Sequence, residues 1–272
     1  MKGDLHIHTN ISDGSYSIET ILEMAKKNGV THLAITNHDT VKGLKYAIDR
    51  GKDFKIEVIP GIEISAYDFN KKRKVHILGY KFSLKGEKIR LLCDEVLRAR
   101  NSNSLWQIDR IKEAGYKIDL LKILEKINEG GVIYKQHIME QLINEGYTDE
   151  IYSDLYRKLF KGNGIASKDI AYVDVFSAID AIKKDGGIAV LAHPGQQKLY
   201  DLIPELVERG LDGIEINHEA HSLEDYKKIV DINRKYGLLL TGGTDFHGEY
   251  GTNVKIGEIT CPEESMLNLF RY

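Results

Sequence analysis

The sequence predicts an α/β barrel interrupted by a helical subdomain. Short apolar runs alternate with amphipathic stretches at both ends of the chain, the pattern of βα units and a parallel sheet. Between about residues 86 and 171 strand-like runs vanish and helical periodicity takes over. Several apolar runs also finish in a histidine or an acid, and the C-terminal rim of a barrel is where sites assemble. The expected organisation is therefore a first barrel part over 1–85, a helical insertion over 86–171 and a second barrel part over 172–272.

The 272 residues suffice for one barrel-sized domain or two smaller units. Hydrophobic content of 42% and charged content of 29% are those of a soluble globular chain. A net charge of -3 gives no broad basic surface for non-specific nucleic-acid binding, though it leaves room for a local basic groove. Cys93 and Cys261 are far apart and lack ligand spacing, which fits buried thiols in a reducing compartment. There is no apolar signal stretch and no run approaching a membrane span, so the expected location is the cytoplasm.

The first strand is expected over Asp4–Thr9. On a strand, side chains i and i+2 share a face, so His6 and His8 can reach one point from one rigid element. Asp4 has the same parity and is expected beneath them as an acceptor. A turn-rich loop with Asp13 follows, then a helix capped by Ser17, with Ile18, Ile21, Leu22 and Ala25 as its stripe and Gly29 at its end. The strand Leu33–Thr36 runs into Asn37, His38 and Asp39, and a helix over about 41–50 comes next. The strand Val58–Ser65 carries Glu63, an acid that is costly in a buried run unless it is paired or metal-bound. His76 stands alone in the strand Lys74–Tyr80.

In the insertion, helices are expected over Ile89–Ala114, Leu120–Asn128, Gln136–Asn144 and Asp149–Phe160. The alternation resumes with a helix over Asp174–Lys184 and the strand Ile188–Ala192, which ends at His193. The strand Gly213–Ile216 leads to His218 and His221, and Ser222 with Asp225 caps the helix to Tyr236. The strand Leu238–Thr241 ends in Gly242, Gly243, Thr244, Asp245, Phe246 and His247.

A convergence of such strand ends would gather His6, His8, Asp13, His38, Glu63, His76, His193, Asp245 and His247. Imidazoles and carboxylates without thiolates suit Mn, Fe or Zn as a hydrolytic metal. Nine ligands exceed the shell of one ion and suit two or three divalent ions sharing a bridging carboxylate.

These motifs, from Asp4-Leu5-His6-Ile7-His8 through Asn37-His38-Asp39, Gly61-Ile62-Glu63, His76 and Ala192-His193-Pro194 to Thr244-Asp245-Phe246-His247, resemble the polymerase and histidinol phosphatase (PHP) superfamily. The helical insertion is similar to that of the branch with nucleoside 3',5'-bisphosphate phosphatases and a 5'-to-3' exoribonuclease. The resemblance implies a distorted (β/α)7 barrel with a trinuclear site. One metal would lie on His6, His8, Glu63 and Asp245. A second would share Glu63 and add His76 and His193, and a third would lie on Asp13, His38 and His247.

It further implies a metal-activated water with no covalent nucleophile, substrate contacts from Arg100, Lys135 and His221, and orientation of ligands by Asp4, Asn37 and Asp39. Asn37 stands where the family usually has Asp, and Lys135 where it often has Arg. The expected substrate is a small phosphate ester, foremost a 3',5'-nucleoside bisphosphate hydrolysed to the 5'-phosphate. The alternatives are the 5' ends of short RNA, a histidinol-phosphate-type phosphomonoester, or a metal-binding regulatory domain without turnover. No membrane partner is expected.

Overall fold

The computed structural model describes residues 1–127 and 131–270. In chain order the first half holds β1 (Gly3–Asp4), α1 (Ile18–Lys27), β2 (His32–Ile35), α2 (Leu44–Phe54), β3 (Glu57–Asp68) and β4 (Arg73–Tyr80). Four helices follow: α3 (Glu87–Glu113), α4 (Leu120–Lys126), α5 (Lys135–Asn144) and α6 (Asp154–Phe160). Then come β5 (Val173–Asp174), α7 (Val175–Lys184), β6 (Ile188–Leu191), α8 (Pro194–Gln197), α9 (Ile203–Glu208), β7 (Gly213–Asn217), α10 (Leu223–Tyr236), β8 (Leu239–Gly242) and α11 (Glu263–Phe270).

Seven strands form a barrel-shaped sheet in the order β1-β2-β3-β4-β6-β7-β8, with β5 paired to the far end of β3. A parallel bridge between Ile7 and Phe246 brings the first and last strands together. The backbone bonds Leu5 N–H to Gly242 O (3.3 Å) and His8 N–H to Phe246 O (2.9 Å) reinforce this seam. Gly243 permits the approach, because a Cβ there would lie 2.4 Å from the His6 nitrogen.

One strand departs from the parallel βα pattern: β4 runs antiparallel to both β3 and β6. The cause is the connection: only residues 69–72 separate β3 from β4, too few for a crossover. The reversal pairs His76 with Ser65, two residues beyond Glu63, and so brings it to the same rim.

The expected strand over 4–9 is also shorter, with regular pairing at Gly3–Asp4 alone. Side chains replace the ladder beyond it. The Ile7 N–H donates to Thr36 Oγ1 (3.0 Å) and the Thr9 N–H donates to Asn37 Oδ1 (2.8 Å). The second helix starts at Leu44 rather than 41, after Gly43 at φ +77°, and runs to Phe54. The helix expected from Asp149 starts at Asp154, because Ser153 Oγ accepts the Tyr156 N–H as its cap. The helix expected to Asn128 ends at Lys126, and Asn128 itself lies outside the described residues.

Alternate residues of the barrel strands face two cores. Leu33, Ile35, Ile62, Ile64, Ile77 and Leu191 pack beneath α1, α2 and α7 in the larger one. Ala34, Ile59, Leu78, Tyr80 and Val190 form the smaller one, closed by Met266 and Leu269 of α11. His38, Glu63 and His76 share the parity of this second set, so they continue it toward the rim. A third cluster joins Ile108, Ile138, Leu142 and Phe160 of α3, α5 and α6, with Tyr250 from beyond β8 packed into it. Cys93 and Cys261 are free and buried. Among the described residues no helix is long and apolar enough to cross a membrane.

Asp4 anchors the seam. It accepts from the Thr244 N–H (3.0 Å) and hydroxyl (2.7 Å), the Gly257 N–H (2.8 Å) and the His6 N–H (3.4 Å). Burial lifts its carboxyl to about 6 against these donors. Asp4→Ala would strand several buried donors and should cost roughly 3 kcal/mol of stability. Urea unfolding of the chelated protein checks this, and an unchanged midpoint would refute it.

Candidate metal centre

Every residue of the nine-member set lies at one rim of the barrel. Glu63 is the centre of the group. Its Oε2 lies 3.4 Å from His6 Nε2, 3.1 Å from His8 Nε2 and 3.3 Å from His38 Nε2. Its Oε1 lies 2.8 Å from His76 Nδ1 and 3.0 Å from His193 Nε2. Asp245 Oδ1 stands 3.3 Å from His6 Nε2 and 3.2 Å from His8 Nε2. Asp13 faces His8 (3.4 Å), His38 (3.8 Å) and His247 (3.4 Å).

Among the described residues four groupings bring their ligand atoms within 4.8 Å of one another: His6, His8, Glu63 and Asp245; His8, Asp13, His38 and His247; His38, Glu63 and His76; and His6, Glu215 and His218. His8 belongs to two of them, with Nε2 facing Glu63 and Asp245 and Nδ1 facing Asp13. His193 meets the cluster through Glu63 Oε1.

The donor set fits divalent ions on an independent observation. His6 Nε2, His8 Nδ1 and Nε2, Asp13 Oδ1 and Asp245 Oδ1 are buried without a hydrogen-bond partner among the described residues. Buried polar atoms normally find partners, and unpartnered donors that face one another in this way suit a bound cation.

The electrostatics agree. Burial opposes charge on His6, yet the charges of Asp245, Glu215 and Glu63 hold its imidazole well above the usual range. Burial likewise resists ionisation of Glu63, and His38, His76 and His6 nevertheless hold its carboxyl well below the usual range. Asp13 and Asp245 behave as Glu63 does. His38, where burial prevails, falls to about 4. Carboxylates that stay ionised beside converging imidazoles make a site suited to a cation.

The backbone is strained around this cluster. Asp39, His193 and Asp245 all have positive φ (58°, 23° and 50°), a region that non-glycine residues seldom occupy.

Several expected supporting roles change. Asp4 was expected beneath the imidazoles, but its oxygens go to backbone and to Thr244, because residue 4 is drawn into the seam. The acceptor on the His6 ring is Glu215, 3.1 Å from Nδ1. Asn37 braces the loop that follows His8, accepting from Thr9 and Ser12. Asp39 reaches the cluster through Ser65, whose N–H it accepts (2.8 Å) and whose hydroxyl lies 3.3 Å from His38 Nδ1.

Arg100, on α3, donates to Asp39 (2.7 Å) and Ser65 (3.0 Å) and lies over the Tyr134 ring. Lys135 lies over Phe160. Burial, together with Lys74, Lys161 and Arg100, brings its ammonium down to about 8 despite Asp169. His221 does not line the cleft. Its Nδ1–H donates to Ile216 O (2.8 Å) and its Nε2 accepts the Gly195 N–H (3.3 Å), so backbone occupies both nitrogens.

Four contributors escaped the sequence reading. Glu215 bonds His6, and His218 stands 3.3 Å from Asp245 Oδ2. Gln136 donates to Asp13 Oδ2 (3.1 Å), and the Tyr134 hydroxyl donates to His38 O (3.1 Å). Glu215 carried the same signal as Glu63, an acid inside an apolar strand. Gln136 and Tyr134 carried none, since only the folding of α5 over the rim brings them there.

Above the cluster lies a cleft of about 310 Å³. It is lined by Glu63, His76, His193 and Asp245 of the cluster together with Arg100, Lys74, Lys135, Tyr152, Tyr156 and Tyr172. Lys74 Nζ is held by Asp169 (2.6 Å) and the Tyr172 hydroxyl (2.8 Å).

The PHP domain family matches residues 4–234. A phosphoribosyl 1,2-cyclic phosphate 1,2-diphosphodiesterase of Eggerthella lenta is 47% identical, over 94% of this chain and 98% of its own. The 5'-3' exoribonuclease Rnm of Escherichia coli is 27% identical over 90% of this chain and 84% of its own. A 3',5'-nucleoside bisphosphate phosphatase of Chromobacterium violaceum is 26% identical over 92% and 90%. The crystal structure of a protein of Bifidobacterium adolescentis, assigned as a metal-dependent phosphoesterase, superposes with a TM-score of 0.91. It is 26% identical over 99% of this chain and 95% of that one.

Proposed function

The chain belongs to the PHP domain family and is a metal-dependent phosphoesterase, and on that premise we propose a cyclic phosphodiester of a phosphorylated sugar as its substrate. The observation that carries this reading is one small cleft lined both by the carboxylates and imidazoles of the cluster and by Arg100, Lys74 and Lys135. A compact molecule with one phosphate to be cleaved and a second to be held suits that combination. The volume sits at the small end of ligand sites, which suits a sugar phosphate better than a polynucleotide. The 47% identical relative, named for such a substrate, supports the same choice.

On this reading His6, His8, Glu63 and Asp245 hold one ion. Asp13, His38 and His247 would hold another, and Glu63 with His76 and His193 would complete the set. Divalent Mn, Fe or Zn in these positions would supply a water nucleophile activated near neutral pH and would neutralise the phosphoryl oxygens. Glu63 keeps the histidine nitrogens converged on one point. The helices of 86–171 act as a cap, and Arg100 and Lys135 grip the second phosphate. Arg100, fixed by Asp39 and Ser65, is the rigid element of that grip, and Lys135 is the adjustable one.

A second reading is a 3',5'-nucleoside bisphosphate or the 5' end of a short RNA. Tyr152, Tyr156 and Tyr172 favour it, because aromatic rings along a cleft can stack a base.

A substrate comparison with Mn-reconstituted protein tests these readings. The panel is a ribose cyclic phosphate bearing a 5-phosphate, a 3',5'-nucleoside bisphosphate, a 5'-phosphorylated oligonucleotide and histidinol phosphate. The cyclic diester should give the highest kcat/KM, and a higher value for the oligonucleotide would refute the proposal. Lys135→Ala should raise KM for the doubly phosphorylated substrates about tenfold with kcat nearly held, since it removes binding remote from the reacting bond.

A further inference from the structure

We infer that strand β7 supplies two positioning residues, Glu215 and His218, which fix the ligating atoms of His6 and Asp245; the inference rests on the metal reading proposed above. Glu215 is fully buried between Ile214 and Ile216. A carboxylate in such a place needs donors. It has the His6 ring, with Nδ1 3.1 Å from Oε1, and the His193 backbone N–H, 2.9 Å from Oε2. Glu215 can only accept, so the His6 proton toward it sits on Nδ1. That leaves Nε2 as the ligating nitrogen, and Nε2 is one of the buried atoms without a hydrogen-bond partner, pointing at Glu63 and Asp245.

His218 does the complementary task. Its Nδ1 accepts the Ala220 N–H (3.0 Å), which assigns the proton to Nε2. Nε2 lies 3.3 Å from Asp245 Oδ2 and donates to it. The other oxygen, Oδ1, is left facing His6 and His8 without a hydrogen-bond partner among the described residues. Asp245 needs such a hold because its backbone stands at φ 50°. One strand end reaches both ligands because β7 lies beside β8, which leads to Asp245, and the stretch after β1 that carries His6 closes against β8 at the seam. Hydrogen bonds of this kind from behind a ligand set its tautomer and orientation.

The test uses Zn²⁺ as the probe on the full chain. In Zn-loaded wild-type protein, ¹H–¹⁵N NMR of the imidazoles should find the His6 proton on Nδ1. A proton on Nε2 overturns the inference whether or not any variant folds. Glu215→Gln removes the charge, leaves one oxygen to serve both donors and turns an NH2 donor toward one of them, which weakens the hold on the His6 ring. Zn²⁺ affinity, measured by chelator competition, should fall about 10- to 100-fold. His218→Ala should fall similarly, and His218→Gln, which retains an N–H donor, should recover most of the loss. A part that merely fills the core would show no such rescue. Wild-type affinity in both Glu215→Gln and His218→Ala overturns the inference while leaving the metal reading intact. Failure of the wild-type protein to bind Zn²⁺ or Mn²⁺ overturns the metal reading itself.

Discussion

Glu63→Gln should lower kcat/KM of the Mn-reconstituted enzyme by at least roughly 10³-fold, on the scale of losing a preorganised electrostatic element in a water-poor site. Five imidazoles converge on this one carboxylate: three on Oε2 and two on Oε1. The amide keeps the shape and packing of the side chain, so the fold has no cavity to absorb. It removes the negative charge that draws the rings together, and its NH2 end directs a donor at nitrogens that must stay free for ligation. Metal content should fall with activity, since the same oxygens serve more than one of the groupings. Glu57→Gln, six residues earlier on the same strand and exposed, should leave both unchanged. Metal analysis beside initial rates decides the matter. A Glu63→Gln protein that turns over within tenfold of wild type would remove Glu63 from the centre of the mechanism.

The legible part of this site was the part encoded in parity and polarity. His6 and His8 alternate across one residue, and Glu63 is an acid where an apolar strand should have none. His38, His193 and Asp245 stand just past strand ends, so strand–helix alternation was enough to bring them to one rim. Glu215 obeys the same rule as Glu63, but the histidines just downstream of it carry the stronger local signal. The roles of Asp4 and His221 were misplaced for a different reason. Which partner a buried polar group takes depends on where the barrel seam falls and on how α8 meets the loop after β7. Neither is local in sequence. The reversal of β4 was carried by the short link at residues 69–72, a signal that the regular alternation elsewhere obscured. The contacts of Arg100 and Gln136 span 61 and 123 residues and follow from the packing of the helices over the rim.

Chelated and Mn-loaded protein should respond to alkali in opposite directions. Without an ion, His6, His8, His193 and His247 hold protons more tightly folded than unfolded: burial opposes the charge, but neighbouring carboxylates outweigh it. Groups with raised folded values stabilise the fold fully below their ordinary 6.5, and that contribution is lost as pH rises through the folded values. Stability of the chelated protein should therefore decline above about pH 6.5. Below it the sign reverses. Burial lowers His38 and His137 to about 4, so the unfolded chain binds more protons between 4 and 6.5 and stability rises with pH there. Asp4, raised by burial to about 6, works against that rise between its ordinary 3.8 and 6. Lys135, lowered by burial to about 8, offsets the alkaline decline only between 8 and its ordinary 10.5. The chelated maximum should thus fall near pH 6.5. In the loaded protein the ion displaces those same protons, so binding strengthens as pH rises and stability should climb from pH 6 to 8. Each net proton exchanged is worth about 1.4 kcal/mol per pH unit, enough to move a melting temperature visibly. Melting curves of both forms from pH 5 to 9 provide the measurement. Parallel pH profiles would mean that the histidine–carboxylate cluster is not where the ions bind.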